Sequence, residues 1–283
     1  MYEDQSLDRL RTVVELIANG DYSAVSTLLE MTANSDVSPN IAALAEAFSL
    51  MLVQIEAREW HQELLIKQLL AANLEMLELL GAMVAKRDSD TSAHNYRVTM
   101  YSVRLAEAMG LDRADIRSLI KGAFLHDIGK IAIPDSILLK PNRLDEQEFA
   151  IMRTHVAHGL DIVGRSSWLK DAMDVVGYHH EKYDGSGYST GLAGEAIPLT
   201  ARVFAIVDVF DALTSLRPYK GSMRVEEALT IITESSGTHF APEVVAAFTP
   251  LALTLYESLH QLDEPALIQA MRELVASYFE ETP

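Results

Sequence analysis

FLHDIGK, residues 124–130, ends a largely apolar run (119–125) with a histidine and an aspartate side by side and a lysine three residues on. The run reads as a buried helix, so His126 and Asp127 project from the core. Adjacent residues on a helix diverge by about 100°, so the two converge only on a target lying against the helix flank. Outward from this stretch the same chemistry recurs. His179-His180 stands in GYHHEKYDGSGYS (177–189), and Asp208 interrupts the apolar AIVDVFDAL (205–213). His94 lies upstream and His155 between, which places seven potential ligands within residues 85–218. Nitrogen and carboxylate donors without cysteine suit divalent Mn, Fe, Mg or Zn. An aspartate among histidines can bridge two such ions and help generate hydroxide from water at neutral pH. A carboxylate inside an apolar run, as at Asp208, needs a cation or strong hydrogen bonds to offset its desolvation.

Other polar residues nearby read differently. Asp211, one turn beyond Asp208, is expected to be a structural hydrogen-bonder, and His158 a supporting or surface residue. His61, His239 and His260 lie outside the cluster and are taken as non-ligands. Asp88 and Asp90 precede His94. Asp90, with Ser89, Thr91 and Ser92 around it, suits an N-cap.

Composition sets the frame. The 283 residues are nearly half hydrophobic, with only 14 glycines and 9 prolines, and Ala, Leu, Glu and Met are plentiful. This favours an all-α fold. A formal net charge of −18 makes the chain a poor binder of nucleic-acid polymers or an anionic membrane surface. A phosphate substrate must therefore be attracted locally. The absence of cysteine excludes disulfides, thiolate sites and cysteine nucleophiles. The polar N-terminus MYEDQSLDRL and the absence of an uninterrupted apolar stretch of about 18 residues predict no signal peptide and no membrane span, hence a cytoplasmic protein.

Two regions are expected. Residues 1–80 form a separate N-terminal helical domain, regulatory or dimerising, ending in a long connecting helix. Residues 40–80 contain no glycine or proline, and a three-four alternation runs through Ile41, Leu44, Phe48, Met51, Ile55, Arg58, Gln62, Leu65, Leu69, Ala72, Met76 and Leu79. The alternation is enough for a coiled-coil seam, with Arg58 and Gln62 as its weak middle, and predicts a homodimer through this helix. A long core helix of one globular domain is the competing reading. Residues 81–283 follow as the second region, with helical patterns at 96–109, 114–125, 146–158, 169–180, 199–213, 225–235, 242–259 and 265–279. Loops are expected at 133–145 and 183–197, the latter glycine-rich and directly after the double histidine.

The joint pattern resembles the HD superfamily of metal-dependent phosphohydrolases, and within it the HD-GYP family. HDIGKIAIPDSILLKPNRLDEQEFAIMRTH (126–155), the stretch from HHEKYDGSGYS to SLRPY (179–219) and GTHFAPEVVAAF (237–248) carry the resemblance. It implies an HD-domain helical bundle around a centre of two divalent ions, foremost Fe or Mn, with Mg, Zn or a third ion as alternatives. One ion would be held by His94, His126, Asp127 and Asp208. The other would be held by His155, His179 and His180, with Asp127 bridging. Lys130 would face the substrate phosphate. The implied activity is hydrolysis of cyclic di-GMP to pGpG, or on to GMP. Two positions depart from the family pattern: Ser189 stands where the Gly-Tyr-Pro triplet has proline, and Ala241 where aspartate is usual. Serine is expected to loosen the loop and alter substrate grip while leaving the metal ligands intact. Ala241 is expected to matter only structurally.

The expected chemistry is in-line attack on phosphorus by a hydroxide bridging the ions, with the ions and Lys130 stabilising phosphoryl charge. Lys140, Lys182, Arg217 and Lys220 are basic residues near enough in sequence to hold the second phosphate or the guanines. Of these only Arg217 is singled out, for its planar two-point contact. Tyr188 and Tyr219 offer ring faces for stacking. The alternatives are a phosphodiesterase for another cyclic dinucleotide such as cyclic GMP-AMP, action on a different phosphoester, or a catalytically weak cyclic di-GMP-binding signalling module.

Overall fold

The computed structural model of the chain describes residues 2–87, 92–215 and 221–279, and among them there is no strand, only an isolated bridge between Ser236 and Phe240. The helices are α1 (Tyr2–Ala18), α2 (Val25–Ala33), α3 (Pro39–Arg87), α4 (Ser92–Ala108), α5 (Arg113–Leu125), α6 (Asp135–Leu138), α7 (Glu146–Arg153), α8 (His155–Val163), α9 (Met173–Tyr178), α10 (Leu199–Thr214), α11 (Val225–Glu234), α12 (Pro242–Phe248), α13 (Ala252–His260) and α14 (Glu264–Phe279). The all-α HD-type bundle and the long helix read from the sequence are both present.

The chain divides into two compact units, Met1–Ala71 and Ala72–Pro283. The division falls inside α3. Its cause is the packing of the last turns of α3: Leu77 and Val84 are buried in the core of the larger unit, and Glu78 pairs with Arg272 on α14 at 3.0 Å. In the smaller unit, α1, α2 and the start of α3 enclose Leu10, Val13, Leu28, Met31, Ile41, Ala45 and Leu52.

Most of the seam read along α3 is open to solvent. Leu44, Met51, Ile55, Leu65, Leu69, Met76 and Leu79 are all exposed, as is Trp60 at 67 %. A core helix would bury such residues. One 18-residue window of α3 has a mean hydropathy of 1.3, long and apolar enough to cross a membrane by length and composition only.

In the larger unit α10 is the axis. Val203, Phe204, Ile206, Val207 and Phe210 are fully buried. It packs most closely against α4, and also against α5, α9 and α11; α4, α5 and α9 carry or adjoin the histidines. Local signals set the ends. Asp112 caps α5 by accepting from the Asp115 amide at 2.9 Å, and Asp145 with Glu148 forms a capping box at the start of α7. Ala241 is the N-cap of α12 and makes no cap bond, so the aspartate usual there would have a capping role, in keeping with a structural reading.

Three boundaries differ from the periodicity. The single helix expected over 146–158 is two, broken at Thr154. That over 242–259 is also two, α12 and α13. The loop at 133–145 contains the short α6. Arg87, at the end of α3, holds the approach to that loop: it donates to the carbonyls of Lys130 (2.9 Å), Ile131 and Ile133 (2.6 Å) and pairs with Asp135 at 2.8 Å.

Candidate metal centre

Helix α5 stops at Leu125. His126 is its C-cap, and Asp127 leaves helical geometry at φ −101°, ψ 9°. This removes the divergence expected of neighbours on one helix, because Asp127 is already on the 3₁₀ turn Ile128–Ala132. Both side chains then face α10 and the ends of α8 and α9.

Two groups of donors form. His94, His126 and Asp208 make one; Asp127, His155, His179 and His180 make the other; within each, the donor atoms lie within 4.8 Å of one another. Asp127 touches both. Its Oδ2 is 3.0 Å from His126 Nε2, and its Oδ1 is 3.4 Å from His155 Nε2 and 4.0 Å from His179 Nε2. His94 Nε2 lies 3.4 Å from Asp208 Oδ1. All seven residues read from the sequence are therefore brought together.

The rings are oriented from behind. His126 Nδ1 donates to the Ala123 carbonyl at 2.8 Å, His155 Nδ1 to Met152 at 2.8 Å, and His179 Nδ1 to Val175 and Val176 at 3.1 Å. His94 Nδ1 donates to Asp211 Oδ2 at 2.7 Å. With Nδ1 committed, Nε2 of each is the nitrogen left to face inward and to take a cation in place of a proton. Asp211 is thus the hydrogen-bonder expected of it.

Electrostatics divides the site. Burial alone would lower the His94 pKa, but the carboxylates of Asp208 and Asp211 raise it to about 10. His126 also rises, its burial outweighed by Asp127. Burial dominates in the other group: it lowers His155 and His179, and takes His180 down to about 4. Burial opposes charge on Asp127, yet Lys130, His126 and His155 hold its carboxyl well below the usual range. Anionic carboxylates and inward ring nitrogens are what a divalent cation needs, so the donor set fits the implied ions.

Lys130 Nζ sits 2.7 Å from Asp127 Oδ2, so the lysine expected at the substrate phosphate stands on the shared carboxylate. Tyr188 is half-buried and stacks on His180, with ring centroids 4.6 Å apart. One of its faces is therefore already covered. Phe149 meets its edge at 5.8 Å, and the Arg153 guanidinium lies over Phe149 (5.2 Å) and Tyr188 (6.0 Å). Lys140 is tied to Glu148 at 2.6 Å. Arg217, Tyr219 and Lys220, like Asp88 and Asp90, lie outside the described residues.

The loop after the double histidine is tied to Glu181. The Oε1 of the buried Glu181 accepts from the Thr190 amide (2.7 Å), the Thr190 hydroxyl (3.0 Å) and the Gly191 amide (3.0 Å). Ser189 adopts φ 151°, which a proline ring, fixed near −65°, cannot match. Glu181, Arg153 and Arg97 were not legible as site residues. Glu181 adjoins His180 and Arg153 lies two before His155, but neither has a spacing of its own to mark it.

The HD domain family matches residues 78–244, more than half of the chain. A cyclic di-GMP phosphodiesterase of Vibrio cholerae is 44% identical over 184 residues, covering 60% of this chain and 37% of that protein. One of Thermotoga maritima is 44% identical over 179 residues, 62% of this chain and 49% of its own length. A 3'3'-cGAMP-specific phosphodiesterase of Vibrio cholerae is 43% identical over 173 residues, 60% of this chain and 33% of its own. The chain thus spans less than half the length of these relatives. Among solved structures, a cyclic GMP-AMP-specific phosphodiesterase of Vibrio cholerae shares the fold at a TM-score of 0.50 and 18% identity, over 73% of this chain and 54% of that one.

Proposed function

The chain belongs to the HD domain family, and from that premise we propose that it is a metal-dependent phosphodiesterase opening cyclic di-GMP to pGpG. The observation that carries the reading is Asp127 standing between two groups of buried, pre-oriented donors. Relatives named for cyclic di-GMP hydrolysis support the substrate. Cyclic GMP-AMP is the second reading, favoured by a cGAMP-specific relative of nearly equal identity.

His94, His126 and Asp208 would hold one divalent ion and His155, His179 and His180 the other, with Asp127 available to both; manganese and iron suit the donors best. Bound ions supply a nucleophile at neutral pH and Lewis acidity toward phosphoryl oxygens. The chain's own residues do the rest. Lys130 offsets charge on the shared carboxylate and on the phosphoryl oxygens brought against it. Arg153, above the Phe149–Tyr188 rings, holds the second phosphate. Tyr188 shields His180 from water.

Product chromatography with cyclic di-GMP and supplied Mn(II) or Fe(II) tests the reading. Slow turnover with pGpG appearing before any GMP is expected, and no cleavage by fully metallated protein overturns it. Lys130→Ala should lower turnover by about 10- to 100-fold, the range of one lost charge-stabilising contact, and leave metal content unchanged. Equal loss of metal in that variant would reassign Lys130 to the ion site.

We further propose that the exposed stripe of α3 pairs with a second copy in a parallel helical pair, in a cytoplasmic protein. The support is the seam itself, apolar except at Arg58 and Gln62. Light scattering should report a dimer for the full chain at micromolar concentration, and a monomer refutes the pairing. Recovery of the chain in the membrane fraction would favour the alternative that its length and hydropathy allow.

A further inference from the structure

We propose that Asp211 is a positioning residue that makes the two halves of the centre unequal, so that a divalent cation fills the His94–His126–Asp208 half first. The inference rests on the metal-centre reading above. It starts from the way the rings are held. His126, His155 and His179 each turn Nδ1 to a neutral backbone carbonyl. His94 turns Nδ1 to a carboxylate, Asp211 Oδ2, at 2.7 Å. A carboxylate acceptor polarises an imidazole more strongly than a carbonyl does, and leaves its other nitrogen the better donor.

Asp211 is built for this position. It is fully buried on α10, and Arg97 on α4 grips both its oxygens: Nε to Oδ1 at 2.6 Å and Nη2 to Oδ2 at 2.9 Å. The same Nη2 donates to Ser215 Oγ at 2.9 Å. His260 Nε2 approaches Oδ1 only to 3.8 Å, too far for a hydrogen bond. The guanidinium fixes the plane of the carboxylate, and the carboxylate fixes the ring. Asp208, one turn earlier on α10, faces Nε2 of that ring. One helix thus presents two carboxylates to the two nitrogens of a single histidine.

The anionic donors are also unevenly shared. The first half has Asp208 in addition to Asp127, with Asp211 behind; the second has three histidine rings and, of carboxylates, the shared Asp127 alone. Lys130 compensates Asp127, which serves both halves. A hard cation such as Mn(II) prefers the half richer in carboxylate oxygen.

The test is titration of Mn(II) into chelator-treated full-length protein, followed by calorimetry and by the EPR signal of free Mn(II). Two unequal steps are expected. Asp211→Asn should weaken the tighter step by about 10- to 100-fold, the usual effect of losing a partner that orients a metal ligand, and leave the weaker step unchanged. A purely structural role would instead weaken both steps together. Because Asp211→Asn leaves the Arg97 guanidinium without a charged partner, a second variant assigns the steps independently of it. His180→Ala, at the half-buried edge of the other half, should erase the weaker step and spare the tighter one. Two equal steps in the parent protein, loss of the tighter step in His180→Ala, or equal weakening of both steps by Asp211→Asn overturns the inference. No Mn(II) binding at all overturns the metal-centre reading, and this inference with it.

Discussion

Asp127→Ala is expected to strip both ions from the protein and to lower phosphodiester turnover by more than about 10³-fold, beyond what one lost electrostatic contact costs. The reason is geometric. Among the described residues Asp127 is the one carboxylate whose two oxygens face different groups: Oδ2 meets His126 at 3.0 Å, and Oδ1 meets His155 at 3.4 Å. Any single histidine serves one half. Replacing His94 or His180 should therefore leave about one ion per chain, and Asp127→Ala fewer. The change also removes the carboxylate that stands 2.7 Å from the Lys130 ammonium, and with it negative charge that favours cation binding. Elemental analysis beside turnover is the measurement. Two ions retained in Asp127→Ala would remove the bridging role.

Gly129→Ala is the second large effect, and it acts through packing. A Cβ at Gly129 would stand 1.8 Å from the His155 carbonyl oxygen and 2.5 Å from the Gly159 amide nitrogen. Both are backbone atoms of α8, so no rotamer change relieves the clash. The 3₁₀ turn carrying Lys130 and the first turn of α8 carrying His155 must separate. A destabilisation above about 4 kcal/mol is expected, in the range reserved for severe core disruption. At about 2–4 °C per kcal/mol for a domain of this size, the melting temperature should fall by roughly 8–16 °C. Metal content should fall too, since the movement parts Asp127 from His155. A melting temperature within a degree or two of the parent would mean the turn and α8 do not meet so closely.

The donors were legible because their chemistry is written in the residue types. A histidine beside an aspartate, two adjacent histidines and an aspartate inside an apolar run stand out in any conformation. The turns that aim them were not. Thr154 ends α7 with φ −67° and ψ −12°, close to helical values, so the apolar period continues across the break that points His155 inward. The stop of α5 at Leu125 is equally hidden, since His126 keeps helical angles as the cap. Arg87 read only as a cation ending a long helix, whereas its carbonyl partners lie more than forty residues away. Arg97 belongs to the same class: its tie to Asp211 spans 114 residues and follows no local period. The long helix itself was plain from composition. The place where one unit ends and the other begins was not, because it falls within an unbroken helix.

Three of the donor rings are steered by carbonyls from the last turns of helices: Ala123 in α5, Met152 in α7, and Val175 and Val176 in α9. They lie where the intrahelical ladder runs out and acceptors are left to caps, side chains or water; the Val175 carbonyl takes the His179 amide as well, at 3.0 Å. Here the folding of each helix end and the aiming of a ligand are the same event. The ordering entropy of the centre is therefore incurred when the chain folds and does not recur when an ion arrives. Such a centre should load without reshaping its host: amide hydrogen exchange around residues 123–127 and 175–180 should be slow before an ion enters and only slightly slower afterwards.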